Sequence, residues 1–461
     1  MTTKTIGESA LRDLRARFAG EVITPGDATY DEHRKVWNGM IDLRPGAIAR
    51  ATSVEDVVAA VNVARDAGAL LAIRGGGHSM QGFSTCDGGI VLDLSLMNEV
   101  VVDAQAKTAR VAGGAHVGHL DRATQAHGLA TPSGTVSHTG VAGLTLGGGF
   151  GRLTPKYGLS IDNLLSVEVV TAEGKVLHAS EDENPDLFWA MRGAGANFGV
   201  ATSFEFRLHH IGTDIGAAIN LYEIDDAPSV LRARRDLDTP PEMIGICALS
   251  TIPAGPPFPP QFHGKKMLIV AGNHVGAPDA AERDLGVLST LGTPAFSAAL
   301  RMPYLAAQQV NDEVYAWGKR YYIKGSLLRA VTDDLIDTAV DRFASVPGAD
   351  TEIDFIGIGR VIARVPEDAT AYSGRSAEWY VGINCAWHDP AEDDAYRAWS
   401  RDAYAAFSPA FLDTNYINAI EDSDPAGAEA AYGATKYARL QTVKRTYDPD
   451  NLFRLNANIA P

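Results

Sequence analysis

The segment IRGGGHSMQG, running from Ile73 to Gly82, places three consecutive glycines and then a histidine directly after a short apolar run. Glycine runs cost conformational entropy and are kept where the backbone must take unusual dihedrals or approach another group closely. The successive N–H groups of Gly75, Gly76 and Gly77 can form a concavity for an anion such as a pyrophosphate, while His78 brings two ring nitrogens to the same loop. No Gly-Lys-Ser/Thr follows, so this is not a triphosphate P-loop. A second block, PSGTVSHTGVAGLTLGGGFG, runs from Pro132 to Gly151 with the same texture. Two such loops and an asparagine-rich C-terminal turn suit a long dinucleotide with a flat reactive ring, which takes contacts from several backbone segments. The stretch RGAGANFG is no Rossmann fingerprint, because it follows a helix and precedes a strand.

These loops need rigid elements to hold them. SVEDVVAAVNVARDAG predicts a helix with Ser53 as N-cap, Asp56 three residues on and Gly68 past its end. LLAIR then predicts a buried strand that delivers the first loop. IVLDL, EVVVD and TARVAGG read as strands, and HVGHLDRATQAHG as a helix ending at Gly128. LLSVEVVTAEGKVLHAS predicts a hairpin turning at Glu173 and Gly174, and NPDLFWAMRG a helix capped by Asn184 with Pro185 at its first position. After VATSFEFRL the glycine clusters stop, and longer strands, helices and the Pro-rich loop IPAGPPFPP begin. EDDAYRAWSRDAYAAF is amphipathic at helical spacing. The last fifty residues, with TNYINAI and YDPDNLFRLNANIAP, read as tight turns that return to the first part. The expected division is 1–208, an inserted domain 209–410, and a C-terminal segment 411–461.

Other chemistry-bearing residues point to less. His116 and His119, with His127 further on, have no acidic or cysteine partner at metal-site spacing, so no metal is assigned. Cys86, Cys247 and Cys385 are scattered and odd in number, which reads as buried thiols. With 46% apolar and 21% charged residues the 461-residue chain folds, and its length suits two domains. A formal net charge of −17 repels phosphate backbones and anionic lipid. No signal-like or membrane-spanning run occurs. The expectation is a cytoplasmic monomer or homodimer that binds neither nucleic acid nor membrane.

AIRGGGHS, CDGGIVLDLSLMN, GGGFGRLTPKYGLSIDNL, FWAMRGAGANFGV and YDPDNLFRLNANI, in that order, resemble the berberine-bridge-enzyme-like branch of FAD-linked oxidases, in the vanillyl-alcohol-oxidase superfamily. The resemblance spans nearly the whole chain. It implies an α+β fold: a PCMH-type FAD-binding domain formed by both termini, with an inserted antiparallel-sheet substrate domain covered by helices. It further implies a covalent bond from His78 to the 8α-methyl of FAD. The second bond that many members make, from a cysteine to the flavin C6, is absent, because Val136 stands at that position.

Matching residue by residue, the cofactor-binding set is Arg74, Gly75, Gly76, Gly77, His78, Ser79 and Gly82 in the first loop. The second contributes Pro132, Gly134, Ser137, His138, Thr139, Gly140, Gly143, Gly147, Gly148, Gly149, Phe150 and Gly151. Tyr157, Gly158, Asp162, Asn163, Gly199 and Val200 follow, then Tyr416, Asn418, Asn456 and Asn458 near the end. Thr139 occupies the position that controls access of oxygen to the flavin edge, and its small size implies an oxidase or oxygenase. Tyr416 with Asn418 matches a Tyr-x-Asn motif facing the flavin. A strand there would put both side chains on one face, and a phenol acting as base at neutral pH would need help from a nearby cation or from the flavin's environment. Tyr321 and Tyr322, close in sequence to Lys319, Arg320 and Lys324, are weaker candidates for that base. The implied reaction is oxidation of a small to medium organic, secondary-metabolite-like substrate with O2 as acceptor. The alternatives are a flavin-dependent oxygenase acting on a polyketide-like substrate, as the match of ARVPEDATAY to polyketide-processing members suggests, and a flavin carrier without turnover.

Overall fold

Leu71–Arg74 pairs in parallel with Ile90–Asp93, which pairs in parallel with Ala47–Arg50, and Glu21–Ile23 closes one edge antiparallel. The crossover between parallel strands is the helix Val54–Ala67. It begins where the Ser53 side chain accepts from the Asp56 N–H and ends where Gly68 turns left-handed at φ 60°. The computed structural model describes residues 5–359, 361–419 and 425–461. A second, antiparallel sheet of five strands follows in the order Val100–Asp103, Thr108–Ala112, Val200–Arg207, Leu164–Val170, Val176–Ser180. Its last two strands form the expected hairpin, with Gly174 at φ 76°. The helix Pro185–Ala194 also forms. Its Asn184 makes no side-chain cap, however, and instead sits left-handed at φ 48° with its amide donating to the His178 carbonyl.

Residues Asp214 to Trp387 build a seven-stranded antiparallel sheet. The helices Ala227–Asp236, Pro278–Gly286, Asp333–Ala344 and Asp393–Phe407 bury one of its faces around Val230, Leu285, Phe343 and Phe407. Strand alternation sends every second side chain to the other face, which looks toward the glycine loops. On strand Arg320–Leu328 this splits two neighbouring tyrosines: Tyr322 joins the helix-covered core, and Tyr321 stacks on Trp37 of the first domain.

The C-terminal region departs from the expected turns. It contains the helices Pro425–Tyr432 and Ala434–Tyr447. The second buries Tyr437, Leu440 and Val443, but also Lys444, whose position inside the buried stripe hides the helix from an apolar-periodicity reading. The Lys444 ammonium is fully buried, 2.6 Å from Asp448 Oδ2, and donates to the carbonyls of Asn197 at 2.8 Å and Phe453 at 3.0 Å. Asp448 in turn accepts from the N–H groups of Leu452 and Phe453. This pair knots the C-terminal segment to the 195–199 turn, and breaking a buried pair by removing one partner is costly. Asp448→Ala is expected to lower the unfolding free energy by about 3–5 kcal/mol, read from the denaturant midpoint. A loss below about 1 kcal/mol would mean that the pair does not hold the segment.

Candidate functional site

The two glycine loops meet backbone to backbone. A Cβ on Gly76 would lie 2.3 Å from the Gly140 nitrogen, and one on Gly140 would lie 2.4 Å from the Gly76 nitrogen, so both positions require glycine. Beside this crossing lies a cavity of about 420 Å³. Gly75 through Ser79 line it from the first loop, and Thr139, Gly140, Gly143 and Gly147 from the second. Gly199, Tyr416, Asn418 and Asn456 complete the set of sequence-expected residues that reach it. The cavity also holds unsatisfied acceptors suited to a polar ligand: Ser84 Oγ and Asn456 Oδ1 are buried without a partner among the described residues.

His78 is fixed from two sides. Its ring stacks on Trp37 at 4.7 Å, and Trp37 stacks on Tyr321 at 3.9 Å. Its Nε2 lies 2.6 Å from His138 Nδ1. Burial, then the neighbouring histidines, hold its pKa well below the ordinary imidazole range, so the ring is neutral. The second loop is anchored in turn by Asp312, which accepts from Ser137 N at 2.7 Å and Ser137 Oγ at 2.6 Å. Asn38 bridges the domains, its amide donating to the carbonyls of Met80 and Tyr321. Nothing in the local sequence pattern marks Trp37 or Asn38.

The remaining expected residues build the wall without lining the cavity. Arg74 braces the first loop from behind, donating to the Ser84 carbonyl, and Gly82 turns at φ 81° with its N–H donating to the Ser79 carbonyl. The Pro132 and Gly134 carbonyls accept from Ser160 and Gln308, while Ser137 and His138 stand behind the loop. Gly148 and Gly149 take positive φ, Gly151 packs on the Ser133 carbonyl, and the Phe150 ring packs tilted against Tyr416, with centroids 5.1 Å apart. Tyr157 stacks on His209, Gly158 abuts Asp162, and Asn163 ties the Tyr157 and Leu159 carbonyls. Asp162 is the partner of the buried Arg375 at 2.8 Å, and Val200 is a core strand residue. Asn458 does not line the cavity, and its Oδ1 is buried without a partner. Tyr322, facing the helices, accepts from Arg401 at 2.8 Å and is remote from the cavity. His116 and His119 stack at the start of a helix, where His119 Nδ1 accepts from the His116 N–H.

Tyr416 and Asn418 meet through a short 3-10 turn, Ile417–Ala419, and not along a strand. Asn418 Nδ2 donates to the Tyr416 oxygen at 3.0 Å and to the carbonyls of Gly143 and Leu144. Among the described residues no cation acts on this phenol, and burial raises its pKa to about 12. Of the cations near the weaker candidates Tyr321 and Tyr322, Lys319 and Arg320 pair with Asp350 and Asp393, while Lys324 lies over the rings of Tyr404 and Tyr322.

Two acids escaped the sequence reading. In the strand Thr351–Gly357, Glu352 and Asp354 point away from the helices. Tyr315, itself in the cavity wall, donates to Glu352 Oε1 at 3.0 Å. Asn384 Nδ2 reaches both carboxylates, at 3.4 and 3.2 Å. Gly382 makes the space, since a Cβ there would lie 2.1 Å from Asp354 Oδ1. Burial raises both carboxyls, Asp354 to about 7 with help from the neighbouring Glu352 charge. The signal was present in TEIDF: acids two apart alternate with apolar residues on one strand.

A family model described as FAD binding domain matches residues 45–180, and one described as berberine and berberine like matches residues 415–460. The chain is 34% identical over 451 residues to (R)-6-hydroxynicotine oxidase of Paenarthrobacter nicotinovorans, covering 96% of this chain and 97% of that one. The crystal structure of 6-hydroxy-D-nicotine oxidase from Arthrobacter nicotinovorans superposes with a TM-score of 0.84 at 29% identity, over 96% of this chain and 98% of that one. Glucooligosaccharide oxidase from Acremonium strictum, described with a 6-S-cysteinyl, 8α-N1-histidyl FAD, shares the fold at a TM-score of 0.85 and 24% identity, over 98% of this chain and 99% of that one.

The acid pair makes stability depend on pH. Between the ordinary aspartate value of 3.8 and about 7, folded Asp354 retains a proton that the unfolded chain has released. Its contribution is therefore full below the lower value and lost as pH rises through the upper one. In urea titrations, the wild type minus Asp354→Asn difference in unfolding free energy is expected to fall steadily from about pH 4 to about pH 8. A difference independent of pH would contradict the raised carboxyl.

Proposed function

Because the chain belongs to the berberine-bridge-enzyme-like family of FAD-linked oxidoreductases, we propose that it is an oxidase holding FAD through one covalent bond, at His78. Its substrate is a small to medium organic molecule of secondary-metabolite type, and dioxygen is the electron acceptor. The observation that carries this reading is the neutral, oriented His78 in the wall of a cavity that two glycine loops enclose. Bound there, FAD supplies a two-electron acceptor that dioxygen restores.

The hydrogen-bond network favours one tautomer for the attachment. His138 Nε2 lies 3.5 Å from the Asp312 carbonyl and can only donate to it. With His138 Nε2 donating, His138 Nδ1 accepts from His78 Nε2, and the neutral His78 keeps a lone pair on Nδ1. A single bond is supported by Val136 in the second loop and by the cavity's lack of any cysteine among the described residues. Gly75, Gly76 and Gly77 would present N–H groups to the pyrophosphate, and Thr139 leaves room for oxygen.

Proton handling falls to two sets of groups. Tyr416, protonated at neutral pH, has its oxygen occupied by the Asn418 amide, so its O–H is left to orient a ligand. Tyr315 is one hydrogen bond from Glu352, and a carboxyl pair titrating toward neutrality suits a base working near pH 7. A substrate O–H or N–H proton passes through Tyr315 to that pair.

The oxidase reading is tested by bleaching the visible flavin band anaerobically with a substrate panel, then admitting oxygen. Recovery of the band with peroxide formed supports it, and oxygen incorporated into product overturns it. Acid-precipitated wild type is expected to stay yellow and His78→Ala to release its flavin; colour retained by the variant would move the attachment elsewhere. Glu352→Gln is expected to slow anaerobic flavin reduction by about a hundredfold, and Tyr416→Phe by less than about tenfold. The reverse order would return the base to the phenol.

A further inference from the structure

A second cavity, of about 500 Å³, lies at one end of the seven-stranded sheet on its helix-covered side. Arg234, from the helix Ala227–Asp236, lines it while being only 3% exposed. Among the described residues its guanidinium makes no hydrogen bond and no ion pair, and its Nε is buried without a partner. Its floor is bare backbone: a Cβ on Gly245 would lie 2.3 Å from Nη2, and one on Gly357 would lie 3.7 Å away. Trp379 faces the guanidinium at 5.3 Å. The structure thus clears two strands and sets an indole beside a charge that it leaves uncompensated.

A buried unpaired charge is among the most costly features a fold can retain. The pKa of Arg234 is lowered by burial, with no carboxylate acting to raise it. The other lining arginines differ. Arg235 is paired with Asp236 and Asp333, and Arg364 is exposed at the rim. A guanidinium fork matches the two oxygens of an oxyanion. One feature selects among oxyanions: Pro240, Pro241 and Trp379 give the cavity apolar walls, so an oxyanion that carries an apolar body fits it better than an inorganic one.

We propose that this cavity binds a small monoanionic organic carboxylate, its carboxylate on Arg234 and its apolar body against Trp379. The site is separate from the flavin cavity, with which it shares no lining residue, and it does not depend on the oxidase reading.

The test is calorimetric titration of the flavin-loaded protein with benzoate, with inorganic phosphate as the comparison anion. Wild type is expected to bind benzoate at one site without change in the flavin absorption band, and to bind phosphate at least tenfold more weakly. Arg234→Met, which keeps the packed stem, and Arg234→Lys, which keeps the charge but loses the fork, should each weaken benzoate at least tenfold. In buffer free of carboxylates Arg234→Met should melt higher than wild type, because it relieves an unpaired charge. Trp379→Phe tests the same cavity independently and should weaken benzoate severalfold. Absence of benzoate binding to wild type, binding that shifts the flavin band, binding untouched by these variants, or a preference for phosphate would each overturn the assignment.

Discussion

The contact of Gly76 with Gly140 is the constraint on which the site rests. Two loops from different parts of the chain approach until neither tolerates a β-carbon, the amide nitrogen of one standing where the side chain of the other would begin. That closeness puts His78 beside His138, which in turn reaches the Asp312 carbonyl. Moving either loop by the width of a methyl group would separate the imidazoles beyond hydrogen-bonding distance, and the orientation of His78 would be lost with them. Glycine here sets distance as well as conformational freedom.

The approach of the loops would be of little use if the inserted sheet were free to drift. Trp37 prevents this by stacking between His78 and Tyr321, with Asn38 hydrogen-bonded to the same sheet strand through both ends of its amide. From the opposite side Arg375 reaches Asp162, and the Lys444–Asp448 pair ties down the C-terminal segment that supplies Asn456. The three contacts differ in kind: stacking, a buried bidentate ion pair, and a buried ammonium satisfied by carbonyls. Each fixes a different wall, so the cavity is defined by residues that mostly do not line it.

That division explains what was legible in the sequence. Glycine has few uses, so the two loops, His78 between them, and the Ser53-to-Gly68 helix could be read from residue type and spacing. Tyr416 and Asn418 are neighbours as expected, but the turn that joins them gives no periodic signal. Residues whose role is set by tertiary partners were not legible. Trp37 and Asn38 look ordinary until the sheet is placed beside them. Lys444 reads as a solvated residue until Asp448 and two carbonyls enclose it. Asp162 and Asn163 match a cofactor motif in sequence, yet structurally they hold Arg375 and the backbone of their own loop.

The buried carboxyls carry the argument one step further. Glu352 and Asp354 lie in a sheet whose neighbours Gly382 and Asn384 accommodate them, and among the described residues no side chain donates to Asp354 Oδ1. A fold selected only for stability would place apolar side chains here, since replacing poorly compensated buried polar groups with packed hydrophobes is often neutral or stabilising. The same burial acts on Tyr416 in the same direction, but with the opposite chemical consequence. A phenol raised to about 12 is locked as a donor, while a carboxyl raised to about 7 becomes able to take and release a proton at neutral pH. Burial alone therefore shifts the two groups apart in what they can do at neutral pH, and on the proposed reading the stability lost at the strand is the physical cost of keeping a proton acceptor behind the cavity wall.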